Sequence, residues 1–530
     1  MTATALTALP AAPLAWSPAA LLARVEALYD RAFGPHANPW RYLGALGFYL
    51  FFVVVATGAY VYAALDTSVV GAYASVERIT HDAWPLLAIS RSLHRYASDA
   101  FAAVVALHVL RECMNGHAKG FRWFSWLSGV PLVWLVLASG IGGFWLVWDR
   151  LAQFSVIATT EWLDALPLFG EPLARNFVDS ATLTNRLFSL FVFLHIGIPL
   201  FLLLAMWVHV KRIARPRTLP PRPLAIGLAV ALAALALAVP IRSDGPADLA
   251  AVPAMLALDW FYLGLHALHY AISPAWLWTA ATAATLALAL LPWLPPARRI
   301  QPARVDLANC NGCGRCFADC PYVAVTLRPR TDGRAAPREA VVDPGLCAAC
   351  GICAGACPSS TPFRSTEALQ AGIDLPQRTV NDVRDELDRA LAAVRGSPSL
   401  VVFGCQRAAD VAAFRSADTA VLALPCTGML PPSFVDYALR RGANGVLVTG
   451  CREGDCAYRL GDRWTRERFA GAREPHLRAS VARERLRVAW CGRFDANALA
   501  AAIDRFRRDL RALPRGHAAP SIKRKVASHA

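Results

Sequence analysis

Cysteine is almost absent from the first 300 residues of this 530-residue chain, where Cys113 stands alone. Charged residues are also few, at 17% of the chain against 56% hydrophobic residues. This balance is too apolar for an ordinary soluble protein and predicts membrane spans. The start of the chain lacks a basic segment followed by an apolar core, so we expect no cleavable signal.

Motifs of several other protein classes are missing as well. No glycine-rich dinucleotide fingerprint follows a strand-like run, and neither a flavin motif nor a Rieske-type Cys-x-His motif is present. No nucleic-acid-binding motif accompanies the net charge of +16. The basic residues lie mostly beside apolar segments or in the C-terminal tail, so we attribute the charge to the positive-inside rule and to attraction for membrane lipid.

Six apolar stretches are long enough to cross about 30 Å of hydrocarbon. They cover residues 43–64, 92–111, 127–148, 187–210, 223–241 and 276–295. The loops after the second, fourth and sixth stretches are basic, which places both chain ends on the cytoplasmic side of a bacterial inner membrane. Before the first stretch, Pro18–Phe33 predicts an amphipathic helix. It either lies on the membrane surface or packs as an ordinary helix.

Four histidines occur inside these stretches at matched spacing. His94 and His108 are fourteen residues apart, as are His195 and His209. Fourteen residues advance a helix by about 21 Å and return it to within roughly 40° of the same face. Ionisable groups inside a membrane are costly and usually functional, so we predict two bis-histidine haem sites rather than four core histidines. His94 would face His195 near the outer membrane face, and His108 would face His209 near the inner one.

Residues 18–296 resemble the cytochrome b of quinol-oxidising cytochrome bc complexes. The resemblance rests on the histidine pairs, on the runs RSLHRYASDAFAAVVALHVLR and GGFWLVWDRLAQFSVIATT, and on three glycines. These glycines are Gly44, Gly58 and Gly143. The resemblance implies two b-type haems, quinone sites near both membrane faces and a homodimer.

One loop departs from that family. The family carries Pro-Glu-Trp-Tyr, whose glutamate helps take a proton from quinol, where this chain has Leu258-Asp259-Trp260-Phe261. The resemblance makes Asp259 and Tyr262 the candidate catalytic groups of an outer quinone site. The alternative is a loop whose aromatic residues form an interfacial belt. His266 and His269, nearby, either touch the quinone or face a headgroup.

The remaining thirteen cysteines lie between Cys310 and Cys491. Two consecutive runs of Cys-x2-Cys-x2-Cys-x3-Cys-Pro repeat the bacterial ferredoxin motif, in which the fourth cysteine of each run reaches the other cluster. We therefore predict two [4Fe–4S] sites, with zinc as the alternative. One site would use Cys310, Cys313, Cys316 and Cys357. The other would use Cys347, Cys350, Cys353 and Cys320.

Four strand-like runs near the C-terminus each end in cysteine, at Cys405, Cys426, Cys451 and Cys491. Ligand sites gather at the carboxyl ends of parallel strands, so a metal site is favoured over buried structural cysteines. Residues 398–512, with LPCTGMLPPSFVDYALRRGANGVLVTGCREGDC, resemble the delta subunit of methyl-viologen-reducing hydrogenases, which carries a [2Fe–2S] cluster. On that basis the predicted ligands are Cys405, Cys426, Cys451 and Cys456. Cys491 is the substitute if one of them does not serve.

These segments predict an α-helical membrane bundle joined to a cytoplasmic α+β ferredoxin-like domain and an α/β domain. The predicted boundaries are 1–40 for an amphipathic N-terminal segment, 41–300 for the membrane domain, 301–362 for the ferredoxin-like domain, 363–397 for a linker with a helix at 376–394, 398–512 for the delta-subunit-like domain and 513–530 for a disordered basic tail.

Together the predicted cofactors form an electron-transfer chain from a [2Fe–2S] cluster through two [4Fe–4S] clusters to two b-type haems. Because no nucleotide or flavin motif is present, primary substrate chemistry is expected on a partner, a cytoplasmic flavoprotein, dehydrogenase or heterodisulfide-reductase-like subunit. The leading hypothesis is a quinone-linked oxidoreductase subunit, with a slight preference for quinone reduction. The alternative is an electron conduit or redox sensor without a quinone site of its own.

Overall fold

The structure is a computed structural model that describes residues 18–81, 84–166, 184–294, 301–364 and 368–513. The chain divides into two compact units. The helical unit contains residues 24–211 and 216–297, and the cysteine-rich unit contains residues 1–23, 212–215 and 298–530. The predicted basic tail lies, beyond residue 513, outside the described residues.

Helices dominate the first unit. They are α1 Pro18–Phe33 (which begins in the other unit), α2 Leu43–Tyr62, α3 Ala72–His81, α4 Pro85–Met114, α5 Trp123–Trp145, α6 Arg150–Asp164, α7 Asn185–Val210, α8 Arg222–Ala238, α9 Gly264–Ala271 and α10 Pro274–Leu290. Helix α2 packs against α4, and α5 packs against α7. Their apolar side chains, among them Leu50, Phe101, Phe144 and Leu202, form the core of this unit.

Four helical stretches of the described residues are long and apolar enough to cross a membrane. They are Pro39–Tyr62, Gly120–Trp145, Asn185–Val210 and Pro274–Trp293. Helix α8 is apolar but shorter. Helix α4 is 30 residues long and carries Arg91, Arg95 and Asp99 in its first half, which makes it the most polar of the predicted spans. The chain is therefore a multi-pass membrane protein by these four helices, and the count of six spans stays a prediction.

The predicted N-terminal helix is present as α1, and one of its faces is packed. Glu26 is buried on that face and pairs with Arg111 near the end of α4, with 2.9 Å between Oε1 and Nη2. Leu21 and Leu28 lie on the exposed part of the same helix. Because a buried charge needs a partner, this ion pair fixes α1 to the end of α4.

The cysteine-rich unit begins with two small antiparallel sheets. Strands β1 (Arg304–Val305) and β4 (Ile373–Asp374) form one, and β2 (Val325–Pro329) and β3 (Arg338–Val342) form the other. Two short helices, α11 (Arg315–Asp319) and α12 (Ile352–Ala356), follow the glycines of the two ferredoxin motifs. Helix α13 (Val380–Ala393) begins with a capping box between Thr379 and Asp382.

A four-stranded parallel sheet completes this unit. Its strands are β5 Leu400–Cys405, β6 Thr419–Leu424, β7 Gly445–Gly450 and β8 Leu486–Trp490, in the order β6-β5-β7-β8. The helices around it are α14 Ser433–Arg440, α15 Gly461–Phe469 and α16 Ala496–Ala512. Cys405 pairs with Leu424, and Gly450 with Trp490, so all four strands end at one edge of the sheet.

One hydrophobic core joins the small sheets of the cysteine-rich unit to one face of its parallel sheet. It joins Val325 and Ile373 of the small sheets to Phe403 and Val448 of the parallel sheet. The segment predicted as a linker contributes β4 and α13 to this core, because Val380, Val383 and Leu387 of α13 are buried there. The helix predicted at 376–394 is therefore present, and it packs between the two parts.

Candidate cofactor sites

The four candidate haem histidines lie on α4 and α7 and face each other in the predicted pairs. The ring centroids of His94 and His195 are 6.3 Å apart. Two imidazoles that face each other at this separation could hold one haem iron between them, with histidine nitrogen as the ligand. His108 and His209 are likewise within electrostatic reach of each other.

Main-chain carbonyls of neighbouring helices fix the orientation of these rings. The Nδ1–H of His94 donates to Val54 O at 2.9 Å, and the Nδ1–H of His195 donates to Ser139 O at 3.0 Å. A proton held on Nδ1 leaves Nε2 as the free lone pair, which is the state that a metal ligand needs. The geometry of the His94 and His195 pair therefore fits a bis-histidine haem.

A glycine on a neighbouring helix lies against each of the four rings. A Cβ built on Gly58 would lie 2.7 Å from His94 Cε1, and one on Gly143 would lie 2.9 Å from His195 Cε1. At the other pair, the corresponding distances are 3.5 Å for Gly44 and 3.1 Å for Gly129. Helices α2 and α5 therefore each carry two glycines that are fourteen residues apart, the same spacing as that of the histidines that they contact.

Both candidate catalytic residues of the outer loop are buried against α4. The carboxylate of Asp259 forms an ion pair with Arg95, the residue after His94. The Tyr262 hydroxyl donates to Ser98 O at 2.7 Å, and its ring fits against α5 only because Gly140 has no side chain. Asp259 is thus joined to the histidine-bearing helix through a cation.

The aromatic residues between them behave differently. Trp260 is 76% exposed and Phe261 is 56% exposed, which is the arrangement expected of an interfacial belt. The belt and the buried Asp259–Tyr262 pair therefore occupy opposite sides of the same short loop.

His266 and His269 on α9 are buried and pack against α6. His266 Nε2 lies 2.8 Å from Thr159 Oγ1, and that hydroxyl donates to Ser155 O at 2.7 Å. Because the hydroxyl proton is already used, His266 Nε2 carries the proton and Nδ1 is a lone pair. That Nδ1 is buried and has no hydrogen-bond partner among the described residues. Burial lowers the pKa of His266 to about 4, which keeps the ring neutral at pH 7.

The eight ferredoxin-motif cysteines lie in two sets, in the predicted combination. Cys357 joins Cys310, Cys313 and Cys316 around one cavity. Cys320 is within electrostatic reach of Cys347 and Cys350, which belong to the second motif. The exchange of the fourth cysteine between the motifs is therefore present in the fold.

The four predicted [2Fe–2S] ligands form a ring of contacting thiols at the sheet edge. Cys405 contacts Cys426 and Cys451, and Cys456 contacts the same two. Cys491 lies apart from this ring and contacts Thr449. The structure therefore groups the four cysteines chosen from the sequence and separates the substitute.

Main-chain N–H groups point at several of these sulfurs. Cys405 Sγ accepts from Arg407 N at 3.4 Å, Cys320 Sγ from Ala324 N at 3.3 Å and Cys347 Sγ from Ala349 N at 3.4 Å. Such bonds favour thiolates and tune iron–sulfur clusters. Among the described residues, no group of three or more cysteine, histidine or acidic side chains is arranged to hold a single metal ion.

Comparison with protein families agrees with this division of the chain. Residues 28–215 match the family model "Cytochrome b/b6/petB", residues 309–361 match "4Fe-4S dicluster domain" and residues 401–514 match "Methyl-viologen-reducing hydrogenase, delta subunit". The chain is a fusion of these three parts. The predicted three-part resemblance is confirmed, and membrane electron transfer follows from the first two matches.

A solved structure titled "Hyperthermophilic respiratory Complex III" is also similar to this chain. The two share 21% sequence identity over 51% of this chain and 81% of that chain, with a TM-score of 0.39. A likeness at this level says nothing of function. The cytochrome b match ends at residue 215, so it includes the helices with the four histidines and leaves out the loop with Asp259.

Three residues that contact the candidate sites of this fusion protein were not predicted from the sequence. Gly129 could have been found, because it precedes Gly143 by the same fourteen residues that separate the histidines. Arg95 carries a charge inside a predicted span, which is itself a functional signal. Arg468, which is fully buried on α15, had no such signal because nothing in its local sequence predicts burial.

Proposed function

We propose that this fusion protein transfers electrons between a cytoplasmic redox partner and the membrane quinone pool through one [2Fe–2S] cluster, two [4Fe–4S] clusters and two b-type haems. One observation carries the proposal: the three cysteine sets lie next to one another. Cys350 is within electrostatic reach of Cys456, and Cys353 is within reach of Cys316. The set around Cys347 is therefore the middle one, and electrons have a continuous route through the cysteine-rich unit.

The partner end of this route is the thiol ring at the edge of the parallel sheet. The sequence carries no dinucleotide or flavin motif, so primary chemistry belongs to a separate flavoprotein, dehydrogenase or heterodisulfide-reductase-like subunit. The match to the hydrogenase delta subunit supports docking at residues 401–514. In the proposed orientation these domains lie on the cytoplasmic side of a bacterial inner membrane, because the basic loops lie there. A homodimer is part of the proposal by resemblance alone.

The quinone end is proposed at the outer loop. A quinol gives up two protons when it is oxidised, so its site needs acceptors near the outer haem ligands. Asp259 supplies a carboxylate joined through Arg95 to the helix of His94. The free Nδ1 lone pair of His266 is a second buried acceptor in the residues that follow this loop. The membrane potential adds to or opposes electron transfer between the two membrane faces, by about 2.3 kcal/mol per electron for each 100 mV.

The test is anaerobic reduction of the purified protein by quinol, followed by haem absorbance and EPR. We expect quinol to reduce the haems, and we expect Asp259→Asn to slow that reduction because the amide cannot accept the proton. Asp248→Asn is the matched control, since Asp248 is an exposed carboxylate in a loop of the same unit. Equal rates in the two variants would remove Asp259 from the proposed quinone site.

A second candidate function is an electron conduit that passes electrons across the membrane without a quinone site. The ion pair between Asp259 and Arg95 favours it, because a carboxylate that is held by a guanidinium is less free to bind a quinol. This candidate predicts that neither quinol nor quinone analogues change the haem spectra. A dithionite-reduced sample with both haem signals and no response to quinol would select the conduit.

A further inference from the structure

A buried arginine lies where the three cysteine sets meet. Arg468 on α15 is 0% exposed, although arginine is rarely fully buried unless it is paired. Its Nη2 donates to Asp319 Oδ2 at 2.5 Å, and Asp319 is the last residue of α11. The side chains of Arg468 and Asp319 are 0% and 3% exposed, so each charge is compensated inside the unit by the other. The pair is therefore a charged centre inside the unit and not a surface ion pair.

The same guanidinium is bonded to main chain beside cysteines of different sets. Arg468 Nη1 donates to Gly428 O at 2.8 Å, two residues after Cys426. Its Nη2 also donates to Ile352 O at 3.3 Å, immediately before Cys353. Asp319 itself precedes Cys320. One side chain thus fixes segments from both ferredoxin motifs and from the turn that carries Cys426.

Glycines allow these segments to approach one another closely. A Cβ on Gly355 would lie 2.1 Å from Gly428 O and 2.8 Å from Arg468 Nη1. A Cβ on Gly461, at the start of α15, would lie 2.1 Å from Cys426 Sγ. Side chains at these positions would push the cysteine sets apart, so the packing that surrounds Arg468 is built for short separations between them.

A second arginine completes the centre. Arg473 also pairs with Asp319, and its guanidinium carbon lies 3.4 Å from the ring centroid of Trp464. The indole Nε1 of Trp464 donates to Asp319 O at 3.0 Å. Two cations therefore surround one carboxylate, and the centre carries a net positive charge.

We propose that Arg468 is a positioning residue for electron transfer that holds the three iron–sulfur clusters at fixed separations and raises the reduction potentials of those beside it. A cluster gains negative charge on reduction, and a nearby buried cation stabilises that reduced state. Asp319 acts in the opposite direction. The proposal rests on the iron–sulfur part of the proposed function and does not depend on the quinone site.

The test is an EPR-monitored redox titration of the full chain, cluster by cluster. Arg468→Met should lower the potentials of both [4Fe–4S] clusters, because it leaves Asp319 with a weaker counter-charge. Asp319→Asn should raise them. Arg468→Lys keeps the charge but loses the fork of donors, so it should change cluster–cluster spin coupling more than potentials. Arg487→Met, which removes the arginine of an exposed ion pair with Asp509 in the same unit, is the control and should change neither.

Opposite shifts for Asp319→Asn and Arg468→Met support the proposal, and shifts of the same sign or no shifts overturn it. If Arg468→Met fails to fold, the potentials in Asp319→Asn decide the test: higher [4Fe–4S] potentials support the proposal, and unchanged or lower ones overturn it. Absence of a [2Fe–2S] signal in the unaltered protein would count against the proposed function. The two [4Fe–4S] signals would still test the role of Arg468, so the two failures can be told apart.

Discussion

Replacing Gly58 by alanine tests the proposed outer haem site directly. The new methyl carbon would lie 2.7 Å from His94 Cε1 and 3.0 Å from its Nδ1. The ring cannot retreat without losing the 2.9 Å bond from Nδ1 to Val54 O. We therefore expect the substitution to displace the imidazole from its ligand position, although the rest of α2 would be unchanged.

The magnitude follows from two contributions. Crowding a packed site costs about 1–3 kcal/mol, and the lost hydrogen bond adds about 1 kcal/mol. The higher helix propensity of alanine is the same with and without haem, so it does not reduce this cost. The sum is a loss of about 2–4 kcal/mol in haem binding, or roughly 30- to 900-fold in affinity.

Gly44→Ala is the matched control, because it lies on the same helix against His108. Its Cβ would lie 3.5 Å from His108 Cε1, which is an ordinary contact. The assay is haem content per protein, measured as pyridine haemochrome, together with the low-spin EPR signals of the two sites. We expect one haem to be lost in Gly58→Ala and both to remain in Gly44→Ala. Two haems with unaltered signals in Gly58→Ala would refute the reasoning.

Three further predictions concern the cysteine-rich unit. Cys456→Ser should abolish the [2Fe–2S] EPR signal and Cys491→Ser should preserve it, because only the first lies in the thiol ring; the reverse result would exchange their roles. Ala349 has a φ of 49°, so Ala349→Gly should raise the unfolding free energy by about 1 kcal/mol in chemical denaturation, and a decrease would contradict this. Burial raises the pKa of Asp374 to about 6. Its contribution to stability is therefore present below pH 4 and lost as the pH rises through 6, by about 3 kcal/mol. Thermal melts should show Asp374→Asn gaining on the unaltered protein between pH 4 and 6 and keeping that gain at higher pH; a pH-independent difference would argue against this.

The membrane part shows how far local patterns reach. The fourteen-residue spacing of the histidines depends only on helix geometry, so the sequence alone predicted which residues share a helix face and which pairs meet. The length of the apolar stretches predicted α2, α5, α7 and α10, because length and hydropathy are properties of one segment. The ion pair of Asp259 with Arg95 joins residues 164 positions apart, and no local pattern specifies such a partner.

The cysteine-rich unit shows the same division. The close spacing of the ferredoxin motifs predicted the two sets of four cysteines there, because residues so near in the chain stay close in space. The strand-like runs predicted that Cys405, Cys426 and Cys451 meet at one sheet edge, because parallel strands end on the same side. Only the tertiary structure decided that Cys491 lies apart, that the predicted linker packs in the core, and that Arg468 reaches Asp319. Each depends on how distant segments pack, and packing is set by the shapes of many side chains at once rather than by the period of any one segment.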